Sequence, residues 1–172
     1  CFVIDLPRPQ RTIARSVRIT GFGYWTGQDV TVEFKPARAT TGVIFVRGDA
    51  TQAPRIDASV HHRIETPRRT TLVRGGHRVE MVEHILAALA GLQIDNCEVW
   101  VDRAEMPGCD GSSRPFVDAL RSTDRVAQDA ERQRVAITET RRVGDDSCWV
   151  EARPSETGGL SIQYLLDYGD EG

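Results

Sequence analysis

The 172 residues, 40% of them hydrophobic and 27% charged, suffice for one good hydrophobic core or two small ones and have the composition of a soluble globular chain rather than a disordered one. A formal charge of −3, with arginines scattered among Asp and Glu, builds no block of one sign, so nothing in it points to nucleic acid or to an anionic membrane. No apolar run reaches the roughly 18 residues of a membrane span, and "CFVIDLPRPQR" has too short an apolar stretch for a signal peptide.

In chain order, "RSVRIT" and "QDVTVEF" alternate with strand period around the Gly-rich turn "GFGYWTG", and "TGVIFVR" reads as a third strand. "TTLVRGGHRV" is a turn between two short extended pieces. An apolar helix follows from about Val82, then a strand "NCEVWVD" and a loop "EMPGCDGSS". That loop leads into a second short helix, "RPFVDALR", with Ser112 or Ser113 as cap and Pro115 tolerated in the first turn. Strands first, then helices, give an α+β order.

Beyond this helix the chain repeats itself. Val17, Ile19 and Thr20 recur as Val135, Ile137 and Thr138, and Val32, Glu33, Lys35 and Pro36 as Val150, Glu151, Arg153 and Pro154, all at one offset of 118 positions. "TTGVIF" and "TGGLSI" continue the match with a one-residue slip. The organisation expected is a first α+β domain over 8–126, a linker over 127–134, and the opening strands of a second, incomplete repeat domain over 135–172. The counterpart of Glu83 then falls beyond Gly172, and a first residue that is Cys rather than Met also suggests a chain that is not a natural whole.

The helix of "EMVEHILAALAGLQIDN" is the segment richest in chemistry. With side chains turning by about 100° per residue, Val82, Ile85, Leu86, Leu89 and Leu92 form a core stripe, while Glu83 and His84 fall on the other side with Ala87, Ala88 and Gly91. Small residues there allow close approach by a partner domain or a ligand. The helix start can help hold the Glu83 carboxylate ionised. Beside it, a neutral His84 imidazole completes the acid-plus-ligand pair that catalytic zinc sites use. HExxH is absent, so spacing alone is weak support. His61, His62 and His77 sit in polar or Gly-rich surroundings and are expected to face solvent.

Other motifs carry less. "GFGYWTG" precedes a strand rather than a helix, so it is a hairpin turn with exposed aromatics and not a dinucleotide loop. Cys109 or Ser112 could serve as a nucleophile, but no histidine is near in sequence and no GxSxG elbow is spelled out. Cys1, Cys97, Cys109 and Cys148 are far apart with no CxxC, and read as free thiols in a reducing cytosol.

The ordered set "RTIARSVRITGFGYWTGQDVTVEFKPARATTGVIF", "TTLV", "VEHILAALAGLQIDN" and "EMPGCDGSSRPFV" resembles the bacterial UDP-3-O-acyl-N-acetylglucosamine deacetylases, zinc enzymes of lipid A synthesis, from about Arg11 to about Tyr168. The resemblance implies two domains, each a β-sheet with helices packed on one face. It also implies Glu83 as general base and His84 as first Zn²⁺ ligand, with a His and an Asp of an H-K-x-x-D motif and a later acid His lying in a second domain. Asp110, Trp25 and Thr70 are implied as substrate-binding or loop-shaping positions. The chain departs from the family pattern where Trp25 replaces a His, Met81 a Thr, and Gly108 and Cys109 an apolar pair.

The function expected is zinc-dependent hydrolysis of the acetamide of a UDP-sugar acyl substrate to amine and acetate. It takes place in the bacterial cytoplasm with the C-terminal domain of the same chain as partner and neither nucleic acid nor a transmembrane segment involved. Alone, this chain is expected to bind zinc weakly and turn over nothing measurable. The rival readings are a non-catalytic α+β binding module with Glu83 and His84 at a domain interface, and a Cys109 or Ser112 hydrolase.

Overall fold

The computed structural model describes residues 8–155 and 159–167. Contacts divide the chain into a unit over Pro9–Arg132 and a second unit made of the residues before and after it.

In the first unit, β1 (Pro9–Ile13), β2 (Val17–Phe22), β3 (Asp29–Pro36), β4 (Val43–Arg47) and β5 (Arg55–Asp57) come first. A 3₁₀ turn (Val60–His62) leads to β6 (Arg63–Ile64), β7 (Thr71–Arg74) and β8 (His77–Glu80). Helix α1 (Glu83–Gly91), β9 (Cys97–Val101), α2 (Arg114–Arg121) and β10 (Arg125–Glu131) complete it. The main sheet has the order β2-β3-β9-β4-β5, antiparallel except for the β4–β9 pair. That parallel pair requires a crossover, and the crossover carries β5 to β8 and α1.

Alternation decides the faces. Val30, Val32 and Phe34 of β3 and Cys97, Val99 and Val101 of β9 point into the core, while Glu33, Lys35, Glu98 and Trp100 point out, with Lys35 Nζ 3.9 Å from the centre of the Trp100 ring. The helices cover the inner face: Ile85 and Leu89 of α1 and Phe116 and Leu120 of α2 are buried, and Phe116 meets Phe34 edge-on with ring centres 6.4 Å apart. This is the expected α+β architecture with helices on one face of the sheet.

Helix α1 ends where its carbonyls find donors. Gln93, at φ 56°, donates from its N–H to Ala90 O (3.0 Å), and the Ile94 N–H reaches Leu89 O (2.9 Å). That is a Schellman closure with Gln at the left-handed position. Asp95 and Asn96 then serve the fold. Asp95 Oδ2 accepts the Arg11 N–H, and buried Asn96 donates to Gln10 Oε1 and Gln128 Oε1 (both 2.8 Å) while accepting the Gly42 N–H at Oδ1 (2.8 Å). These bonds join the antiparallel β1–β10 ribbon to the segment entering β4.

Three local expectations change. Ala88 belongs to the core, fully buried, because it follows Ile85 by three residues and so lies on the same side of the helix; exposed Ala90 takes its place on the open face. Residues 127–131 of the expected linker form most of β10, paired with β1. The short strands β1, β5 and β6 went unread in the sequence, being too brief to show a period. Of the two caps expected for α2, Ser113 occupies the cap position without a side-chain bond, and Ser112 is the one whose Oγ accepts the Arg114 N–H (3.0 Å).

In the second unit, β11 (Arg141–Gly144) and β12 (Trp149–Ala152) form a hairpin whose turn is bound by Asp145 Oδ1, which accepts from Ser147 N and Oγ and Cys148 N. Val150 and Glu151 lie in β12 as Val32 and Glu33 lie in β3. Val135, Ile137 and Thr138, the repeat of β2, lie in no strand among the described residues, and Val135 is 91% exposed. "TGGLSI" falls partly outside the described residues.

Candidate active site at the head of helix α1

The chain enters α1 through a constrained corner. Met81 has φ 62°, a left-handed conformation that costs a non-glycine residue roughly 1–2 kcal/mol, and it is held there by its N–H bond to Thr70 O (3.0 Å) and by a side chain that is 9% exposed. On its other flank, the Glu80 N–H bonds Ala104 O and Glu80 O accepts the Met106 N–H. The corner is therefore pinned by two separate segments, which fixes where Glu83 begins the helix.

Glu83 is the first residue of α1, so its carboxylate sits at the positive end of the helix. Its Oε2 accepts the Thr70 N–H at 3.1 Å. Thr70, expected as a substrate-binding or loop-shaping residue, thus holds the candidate base through its backbone. Glu83 and His84 are both half-buried on the face that also carries Ala87, Ala90 and Gly91, and a side chain built on Gly91 would meet nothing within 4 Å.

Trp25 belongs to the β2–β3 turn, which is a hairpin as expected, with Phe22, Tyr24 and Trp25 all more than half exposed. The residue that builds this turn escaped the sequence reading. Glu105, 2% exposed, accepts the Trp25 N–H at Oε1 (2.7 Å) and both Thr26 N–H (3.0 Å) and Thr26 Oγ–H (2.8 Å) at Oε2. A lone acid in a polar loop gives no sequence signal of burial. Gly23 is required beside it, since a Cβ there would lie 2.5 Å from Glu105 Oε2 and 2.4 Å from Thr26 Oγ1. Gly23→Ala is expected to lower stability by about 1–3 kcal/mol in a urea titration, because the buried carboxylate must move off its donors. An unchanged midpoint would show that the turn adjusts freely.

Asp110 lies in the loop that closes on the same turn: Gly108 donates from its N–H to Phe22 O (2.8 Å), and the Tyr24 ring covers Gly108 closely enough that a Cβ there would lie 2.4 Å from Tyr24 Cδ2. Its carboxylate accepts Ser112 N–H (2.9 Å) and Ser112 Oγ–H (2.8 Å), bonds that hold the group below its ordinary range. This is loop shaping. Among the described residues no hydrogen bond or ion pair joins Asp110 to Glu83 or His84.

The structure also weighs against the nucleophile readings. Burial, then the neighbouring Asp110 charge, pushes the Cys109 thiol up, which disfavours the thiolate, and Ser112 is bonded to Asp110 and, among the described residues, to no imidazole. Cys97, Cys109 and Cys148 are free, and burial pushes the Cys97 thiol up to about 12. His61 is exposed as expected. His62 and His77 are half-buried, because His62 Nδ1 lies 3.2 Å from Asp57 O and His77 starts a paired strand. No helix of the described residues is long and apolar enough to cross a membrane.

The resemblance implies a single Zn²⁺ ligand in this chain, His84. Among the described residues no three His, Cys, Asp or Glu side chains gather closely enough to hold an ion, and a catalytic zinc needs three protein ligands. His84 is a single donor, so these residues do not by themselves fit such a centre.

Residues 10–172 match the family described as UDP-3-O-acyl N-acetylglycosamine deacetylase. The chain belongs to this family. It is 40% identical over 159 residues to a UDP-3-O-acyl-N-acetylglucosamine deacetylase of Psychrobacter cryohalolentis, covering 92% of this chain and 49% of that protein. The deacetylase of Thioalkalivibrio sulfidiphilus is also 40% identical, with 92% and 52% covered, and the bifunctional enzyme LpxC/FabZ of Chlorobaculum tepidum is 39% identical, with 92% and 34% covered. The chain spans about a third to a half of the length of these curated relatives. Within this deacetylase-family chain, "DN" of the matched motifs is structural, since Asp95 and Asn96 lash the ribbon to the sheet.

Proposed function

We propose that this chain supplies the general base and one metal ligand of a deacetylase that hydrolyses the acetamide of UDP-3-O-acyl-N-acetylglucosamine to amine and acetate, in lipid A synthesis in the bacterial cytoplasm. The observation that carries the proposal is the Glu83 carboxylate, held by the Thr70 N–H at the head of α1, next to His84 on a helix face of small residues. That face is where a second domain, expected in a protein of its relatives' length, would close over the substrate.

Glu83 accepts a proton from the water that attacks the acetamide carbonyl. Its second oxygen, Oε1, has no bond among the described residues and is the acceptor for that proton. The tetrahedral intermediate then collapses with cleavage of the C–N bond, the leaving nitrogen taking a proton from the acid His implied in the second domain, and acetate is released while Glu83 returns its proton to solvent. His84 would hold zinc together with donors from outside this chain, and zinc when bound polarises the carbonyl and acidifies water.

Metal content tests the ligand assignment. In a protein of the relatives' full length, His84→Ala is expected to lose most of its zinc, while Glu83→Gln keeps it. Full zinc occupancy in a folded His84→Ala protein would remove His84 from the ligand set and favour a non-catalytic role at an interface.

A further inference from the structure

One side chain on the segment that holds Glu83 is fixed in place yet left with free donors. Arg69 directly precedes Thr70, whose N–H holds the Glu83 carboxylate. Its guanidinium lies over the Trp25 ring, 4.9 Å from the centre, and its Nε lies 3.1 Å from Glu80 Oε2, out of line for a hydrogen bond. Glu80 is shared with Arg78, whose Nε is 2.9 Å from Oε1, so the three groups together keep one positive charge. Trp25 is itself anchored through its N–H to buried Glu105.

A guanidinium carries five N–H donors, and among the described residues neither Nη1 nor Nη2 of Arg69 makes a hydrogen bond. The side chain keeps 22% of its surface exposed, and Nε is the only one of its nitrogens that is both buried and without a bond. The fork is thus ordered in advance by an aromatic face and a carboxylate, which cuts the entropy lost when it binds an anion. Two parallel N–H groups match a pair of phosphate oxygens. In a nucleotide sugar of the kind named for the relatives, the sugar carbon that bears the acetamide neighbours the one that bears the diphosphate, so an anion site on the segment that holds the base is where that diphosphate would fall.

We infer that the Arg69 fork, backed by Trp25, binds the diphosphate of the nucleotide-sugar substrate. This rests on the reading of Glu83 and His84 as the reaction centre. The test is isothermal titration of UDP and of uridine into the protein of full family length, with Arg69→Gln and Arg69→Lys alongside. Arg69→Gln is expected to weaken UDP roughly 10- to 100-fold and leave uridine within about twofold, with KM raised and kcat nearly unchanged. Arg69→Lys, which keeps the charge and the Glu80 pair, is expected to lose less and carries the test if the Gln protein does not fold. UDP affinity unchanged in a folded variant, or UDP and uridine weakened equally, would overturn the assignment, since a structural role affects both ligands alike. The Glu83 reading fails separately: if Glu83→Gln stays active while Arg69→Gln loses UDP selectively, the anion site stands without that base.

Discussion

Glu83→Gln, in a protein of the relatives' full length, is expected to lower kcat for deacetylation by about 10²- to 10⁴-fold with KM little changed. The amide has nearly the shape of the carboxylate, and its oxygen can still accept the Thr70 N–H that Oε2 accepts at 3.1 Å. What it cannot do is take a proton from water. The structural consequence should be small, because losing one charge at a helix start costs about 0.3–1 kcal/mol. The measurement is steady-state kinetics with thermal unfolding of the same preparation. Activity within threefold of the parent would sink the general-base assignment, whereas lost activity with a melting point lowered by more than about 5 °C would point to damage rather than chemistry.

Asn96→Leu is expected to be among the most destabilising single changes in the Pro9–Arg132 unit, costing about 3–5 kcal/mol in a urea titration. Leucine matches asparagine in size but leaves the Gly42 N–H and the Gln128 Oε1 without their partner and removes one of two donors to Gln10 Oε1. Asn96 is 1% exposed, so water cannot replace those bonds. Arg114→Ala, which breaks an exposed pair with Asp118 one turn along α2, is the control, expected to change stability by less than about 0.5 kcal/mol. A loss below about 1 kcal/mol for Asn96→Leu would mean that the β1–β10 ribbon is not fastened through this side chain.

Both expectations depend on features the sequence showed to different degrees. The sequence marked "QDVTVEF" and "NCEVWVD" as strands, and the structure buries alternate residues of β3 and β9, because a strand with one solvated face must alternate. The helix of "VEHILAALAGL" was as readable, with Ala88 the exception: a methyl group does not declare which side it packs on. β1 and β10 were not legible, since a ribbon fastened by Asn96, Gln10 and Gln128 is held by polar side chains that read as surface. Glu105 was invisible for the same reason, a buried acid whose three donors lie some 80 positions away.

By itself the sequence determined the α+β class, the start of α1 and the extent of α2 to within a residue or so, the placing of Glu83 beside His84 away from the leucine stripe, and the family. These are consequences of local periodicity and of motif order, which are written along the chain. Only the tertiary structure decided what holds Glu83 and what stands beside it: the Thr70 N–H, the left-handed corner at Met81, and the Arg69 fork laid on Trp25 and Glu80. Trp25 and Arg69 are 44 positions apart and meet because the β2–β3 turn and the strand before α1 converge through Glu105 and Glu80, a pairing that depends on chain crossover and not on any local pattern.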